Sequence, residues 1–250
     1  MSRIPKRARH PDGRSAGVTA PVKSRFIIAA GIAVLVASAC GGGSSAPKAD
    51  PETLLHQAKA TIDATPSLHF TLTSENVTGT GTNLTAGQGD LVRPDSLQGS
   101  FTVNIQGFNA DVKVVSKGGV FEAELPFQSK YTKADPASLG LTDPAQLLDP
   151  NHGLSNLLII GTGAHSSGQE RIAGELLDKV TTTVPGSSIP VLPDANPGQP
   201  VTMVSAINPK NFQLRQITLT GPFTSATSNS TYVVTLTNYG EAVTITLPPV

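Results

Sequence analysis

Apolar and polar side chains alternate residue by residue through a series of separate stretches, and a period of two leaves this chain few choices of fold. In "SLHFTLT", Leu68, Phe70 and Leu72 alternate with His69, Thr71 and Thr73. In "SFTVNIQ", Phe101, Val103 and Ile105 alternate with Thr102, Asn104 and Gln106. "FNADVKVV" repeats the pattern with Phe108, Ala110, Val112 and Val114, and "VFEAEL" sends Phe121, Ala123 and Leu125 to one side and Glu122 and Glu124 to the other. Successive side chains of a strand point to opposite faces, so each stretch has one face to bury and one to leave wet. "KGG", Lys117 to Gly119, is a hairpin turn between two of them. Strand signals resume from Arg171 to Val184 and in "PVTMVSAI", "FQLRQITLT" and "STYVVTLTNYG", with a turn at Asn208 to Asn211. "EAVTITLPP" reads as a short last strand. The expectation is an antiparallel meander with one apolar face.

Two regions break the period. "DPETLLHQAKATIDA" is a helix: Asp50 caps it, Pro51 suits its first turn, and Leu54, Leu55, Ala58 and Ile62 share a face that leaves His56 in solvent. "LTDPAQLLDPNHGLSNLLIIG" has two Asp-Pro starts, at Asp143 and Asp149, each followed by a short apolar helical stretch. Leu147, Leu148, Leu154, Leu157, Leu158 and Ile159 make these a pair of helices for packing on the sheet. The segment "SSIPVLPDANPGQ" is proline-rich and irregular, and glycine-rich "GTGTNLTAGQG" reads as a connection between two strands.

The N-terminal end carries an address. Seven basic residues, among them Arg3, Lys6 and Arg25, precede about 14 mostly apolar residues from Phe26 to Ala39. That length suits a signal peptide and falls short of the roughly 20 residues of a membrane-spanning helix. Small residues Ala37, Ser38 and Ala39 then precede Cys40, the single cysteine of the chain. One cysteine forms no internal disulfide, and an unpaired thiol is out of place in an oxidising space. A cysteine following small residues resembles the bacterial lipobox, in which the thiol is acylated and becomes the mature N-terminus. Ala37 stands where a leucine is usual. The expected organisation is a signal peptide at 1–39, a lipidated N-terminus and flexible tether at 40–50, and one domain at 51–250. Two or three acyl chains, at about 0.8 kcal/mol per buried methylene, would hold such a protein durably on the cell membrane's extracytoplasmic face.

Removing the leader changes the charge balance. The whole chain has 18 basic and 18 acidic residues, of which the leader holds seven and one. The remainder, 11 basic against 17 acidic, has a net charge near −6, which excludes a nucleic-acid-binding role. No catalytic or metal motif accompanies it. His56, His69, His152 and His165 are scattered without ligand spacing, "GLSNL" lacks the closing glycine of a nucleophile elbow, and "DPNHG" has too few carboxylates for a calcium loop. The glycine-rich stretch opens no helix that would cradle phosphate. The expectation is a non-enzymatic protein without a cofactor.

Several segments resemble the mycobacterial LppX/LprA/LprF/LprG lipoprotein family. The pattern D-P-A-x-x-L-x-P/D-x-G-L-x-x-L is met by "DPAQLLDPNHGLSNLL", Asp143 to Leu158, and W-G-x-x-V by "YGEAVTITLPP", with Tyr239 in place of tryptophan. "SLHFTLT" and the lipobox stand where the family has them, whereas residues 185–212 match less well. The resemblance implies an α+β fold: a strongly curved antiparallel sheet, a half-open barrel, whose helices cover the concave side and enclose an apolar cavity. It implies binding of acylated lipids or glycolipids and their carriage from the inner membrane toward the outer envelope, with an inner-membrane exporter as partner. Cavity candidates are Phe70, Leu72, Phe101, Val103, Ile105, Val112, Val114, Phe121, Ala123, Leu154, Leu157 and Leu158. The competing expectation is a surface interaction lipoprotein with a filled β-core and no cargo, since a packed core has the same sequence signature.

Overall fold

The computed structural model describes residues 49–78, 82–139, 143–190, 192 and 198–249. The leader, Cys40 and most of the tether lie outside them. The first element is helix α1, Pro51–Ala64, and the capping expectation is met: the Asp50 side chain accepts from the Thr53 amide at 2.9 Å. Leu54, Leu55, Ala58 and Ile62 are its buried face, and His56 is exposed.

Among the described residues, eleven antiparallel strands follow. The first six are β1 Ser67–Glu75, β2 Thr82–Val92, β3 Ser96–Ile105, β4 Phe108–Lys117, β5 Val120–Glu124 and β6 Thr132–Lys133. A stretch of single turns leads to helix α2, Leu157–Ile160, and then to β7 Thr162–Ile172, β8 Glu175–Pro185, β9 Pro200–Ile207, β10 Leu214–Gly221 and β11 Ser230–Thr237. Their order across the sheet is β6-β5-β4-β3-β2-β1-β11-β10-β9-β8-β7. The first and last strands thus meet in the middle, through seven paired positions from His69↔Thr237 to Glu75↔Thr231. Edge strands β6 and β7 do not pair with one another, so the sheet stays open. Twist of constant hand curls so wide a sheet, and residues from both halves, such as Phe121 on β5 and Val180 on β8, join one buried cluster. Among the described residues that cluster runs from Leu54 to Leu236, all of it retained in a chain beginning at residue 40.

Four expectations are corrected. The stretch from Thr82 to Val92 is a strand, because Gly87 and Gly89 leave room for neighbours: a Cβ on Gly87 would stand 2.6 Å from Cδ1 of Phe101. The second half of the sheet begins at Thr162, nine residues ahead of Arg171, with a strand that has no buried residue because it forms the edge. Glu241 to Pro249 is not a strand; the tail is tied by Ser67 Oγ to the Glu241 carbonyl and by Lys117 Nζ to that of Ile245 at 2.8 Å. The Asp-Pro region is a run of 3-10 turns, at Pro144–Leu148 and Leu154–Asn156, ending in the single helical turn α2, rather than a helix pair.

Candidate functional site

The turns from Pro144 to Ile160 form a cover over the apolar face of the sheet. Asp143 starts it, accepting from the Ala145 amide at 3.0 Å and from Ser116 Oγ on β4 at 2.9 Å. At its centre Gly153 passes so close to the preceding turn that a Cβ would lie 2.6 Å from the Asp149 carbonyl oxygen. Asp149 itself accepts from the amides of Asn151 and His152, which holds its carboxyl below the usual range, with the His152 charge adding to the effect.

A polar latch fixes the cover to α1. Lys59 Nζ donates to Asp63 at 2.8 Å and to the Pro150 carbonyl at 2.6 Å, and Ser155 Oγ donates to the other Asp63 oxygen at 2.7 Å. Arg93, just beyond β2, donates to the carbonyls of Thr65, Leu148 and Ile62 at 2.9, 2.6 and 3.1 Å. Its guanidinium adds bonds to carbonyls at the end of α1, where that of Ile62 also accepts from the Thr65 amide, and grips the cover at Leu148.

Between cover and sheet lies an apolar cavity of about 50 Å³. The sheet contributes Phe70 and Leu72 from β1, Leu84 and Leu91 from β2, Phe101 from β3, Leu219 from β10, and Tyr232, Val234 and Leu236 from β11. Leu147, Leu154 and Leu157 close it from the cover, and Ile189, Pro190 and Leu192 from the segment after β8. Among the described residues that line it, Tyr232 alone has a polar side chain. Such a wall offers dispersion and dry surface. Among the described residues no group of three or more His, Cys, Asp or Glu is placed to hold a metal ion.

Of the twelve candidates named above, Phe70, Leu72, Phe101, Leu154 and Leu157 line the cavity. Val103, Val112, Val114, Phe121, Ala123 and Leu158 are buried in the surrounding core and are not part of the lining. Ile105 is 43 % exposed, because the end of its hairpin extends past the core. Sequence reading missed Leu84 and Leu91, whose strand was hidden by its glycines, and Ile189 and Leu192, which stand in the proline-rich segment. Glu122 corrects a further expectation: it is 3 % exposed instead of solvated. Tyr239, in the position of the family tryptophan, is half-buried; its hydroxyl donates to the Leu214 carbonyl, and desolvation pushes its phenol far above the ordinary range.

A profile of the LppX_LprAFG lipoprotein family matches residues 50–245, which spans the described domain. The chain belongs to this family. It is 30% identical over 230 residues to the lipoarabinomannan carrier protein LprG of Mycobacterium tuberculosis, covering 90% of this chain and 94% of that one. The LprG of Mycobacterium leprae is 29% identical over 225 residues, covering 87% and 92%. Two solved structures share the fold. LprF from Mycobacterium bovis superposes with a TM-score of 0.63 at 17% identity, covering 79% of this chain and 96% of that one. LppX from Mycobacterium tuberculosis gives 0.55 at 19% identity, covering 79% and 100%. The expected curved, unclosed sheet with few helices is therefore the family fold.

Proposed function

We propose that this protein is a membrane-anchored carrier that takes up the acyl chains of a lipid or glycolipid between its sheet and its cover. The apolar cavity carries this reading: fifteen of the described residues, from seven separate segments, converge on one space, and all but Tyr232 present apolar side chains. The names of the LprG relatives add that the cargo of those proteins is lipoarabinomannan, a glycolipid. Cys40 serves as the anchor, and among the described residues no helix is long and apolar enough to cross a membrane. Carriage runs from the inner membrane toward the outer envelope, with an exporter in the inner membrane as partner.

The size of the cavity favours a second reading. About 50 Å³ is well below the roughly 300–1,000 Å³ of ordinary small-molecule sites, as a filled core of an interaction lipoprotein would require. In the carrier reading this is the closed form, and the short turns of the cover yield when a chain enters. Native mass spectrometry of the chain from residue 40, carrying Cys40→Ser, separates the two. A carrier retains lipid from its host as added mass; a bare protein mass at full stability overturns the proposal. Cys40→Ala in the full chain should also move the protein from membrane to soluble fractions or leave an uncleaved precursor, and unchanged fractionation would contradict the anchor.

A further inference from the structure

Three large apolar side chains stand exposed at one end of the sheet. Ile105 and Phe108 are cross-strand partners at the tip of the β3–β4 hairpin, 43 % and 78 % exposed. Phe127, in the turn that follows β5, is fully exposed at 109 %. The hairpin is built to hold its tip rigid. Gln106 and Gly107 both take positive φ, 52° and 90°, as a tight two-residue turn needs, and Asn104 accepts from the Gly107 amide and donates to Asn109. Phe127 adopts φ 66°, a left-handed conformation that costs a bulky residue energy and that glycine or asparagine would take freely. A phenylalanine that is both strained and wholly wet gains nothing within the domain.

We propose that this tip and turn form the surface by which the domain docks on a lipid bilayer with anionic headgroups. The inference rests on the carrier reading. Phenylalanine rings and aliphatic tips enter the interfacial layer of a membrane, while neighbouring lysines extend to the headgroups. Two lysines stand beside the turn. Residues 125–134 carry Lys130 and Lys133, flanked by Glu124 and Asp135, and residues 101–110 carry no charge and precede Asp111, on a chain whose processed form is acidic overall. Lys113 nearby is already paired with Glu124 at 2.9 Å. The position fits delivery of cargo, because β8 ends at this same end of the sheet and the segment after it gives Ile189, Pro190 and Leu192 to the cavity wall. The tether permits it: the eleven residues at 40–50 reach at most about 40 Å, comparable with a domain of this size.

The test uses the chain from residue 40 carrying Cys40→Ser, so that no acyl anchor contributes, with sedimentation on vesicles of phosphatidylcholine alone or mixed with phosphatidylglycerol. The parent should bind the mixed vesicles, and Phe108→Ser with Phe127→Ser should weaken binding by about tenfold for each ring lost. Both residues are exposed and lie outside the cavity lining, so the melting temperature and co-purifying lipid should not change. Lys130→Gln with Lys133→Gln should weaken binding to mixed vesicles alone. A parent that ignores vesicles, or a double phenylalanine variant that binds like the parent, overturns the docking surface even where cargo is retained. Equal binding to both vesicle types overturns the headgroup preference. Loss of cargo with vesicle binding intact would instead sink the carrier reading.

Discussion

Leu97 on β3 and Leu157 in the cover are almost equally buried, at 0 % and 1 %, yet they are held in different ways. Leu97 sits between two complete ladders, opposite Leu91 on β2 and Ser116 on β4. Leu157 begins a four-residue helix whose preceding residue makes no side-chain cap, and its segment is fastened by a handful of side chains: Lys59, Asp63, Arg93 and Ser155. The sheet is a cooperative scaffold, whereas the cover is an apolar surface held by a polar latch. A cavity with one wall of each kind can enlarge without unfolding the protein, because local openings draw on the least cooperative elements first.

The largest effects should expose that asymmetry. Leu97→Ala leaves a void that neighbouring strands cannot close, and a loss of stability of about 3–5 kcal/mol is expected in urea denaturation. Leu157→Ala should cost nearer 2 kcal/mol, because single turns collapse into the space more readily. Equal losses at the two positions would break the comparison.

Enlargements sharpen it next. Val103 is buried outside the lining, so Val103→Trp overpacks the core and should cost about 1–3 kcal/mol while cargo, measured by native mass spectrometry, stays the same. Leu72 lines the cavity, and Leu72→Trp should cost less and expel lipid. The opposite ranking would place the acyl space farther along the same face of β3, toward its hairpin end.

A smaller effect tests the latch. Ser155→Ala removes the hydroxyl that donates to Asp63 and should cost about 1 kcal/mol. Hydrogen exchange should accelerate for amides 154–160 and stay slow on β3, and lipid exchange should quicken. Uniform acceleration across both regions would mean that cover and sheet open together.

The same asymmetry decided what could be read from the residues. α1 and strands β1, β3, β4 and β5 follow from periodicity, because each presents a continuous apolar face to one core. β2 was concealed by Gly87 and Gly89, which are required by the approach of Phe101 and of the neighbouring backbone and so carry no alternation. β7 buries no residue, and edge position leaves a polar sequence without a pattern. In the cover, two Asp-Pro starts correctly mark where turns begin, but helix length depends on contacts with α1 and Arg93 that lie far away in sequence. For the cavity, alternation identifies the inward face and stops there. Whether an inward side chain meets a void, like Phe101, or a neighbour, like Val103, depends on where the cover ends, and no local pattern encodes that.

The smallest expected effect is the response of the two regions to acid, through one carboxylate on each. Glu175 at the start of β8 accepts from Arg215 on β10 at 2.7 and 3.0 Å and from Asn208 at 2.8 Å, and these bonds hold its carboxyl below the ordinary 4.5. In the cover, bonds from the Asn151 and His152 amides hold Asp149 below the ordinary 3.8. A carboxyl that is more acidic in the folded state stabilises fully above its unfolded pKa, and this contribution is lost as pH falls through the folded value. Both contributions should therefore be constant from neutral pH to about pH 5 and fade below the two ordinary values. Their side chains are 37 % and 41 % exposed, so solvent screening keeps each effect slight. The consequences should still differ in kind. Protonating Glu175 subtracts from the stability of a ladder that remains paired through Asp178↔Ile207 and its neighbours. Protonating Asp149 weakens the acceptor that organises the turn at residues 149–152, so the cover should loosen first. Hydrogen exchange between pH 5 and pH 3, corrected for intrinsic rates, should show protection falling earlier at 151–160 than at 176–184. Asp149→Asn, which keeps a carbonyl acceptor but cannot titrate, should flatten the first response and leave the second unchanged. Simultaneous loss in both regions would show that latch and ladder form one cooperative unit.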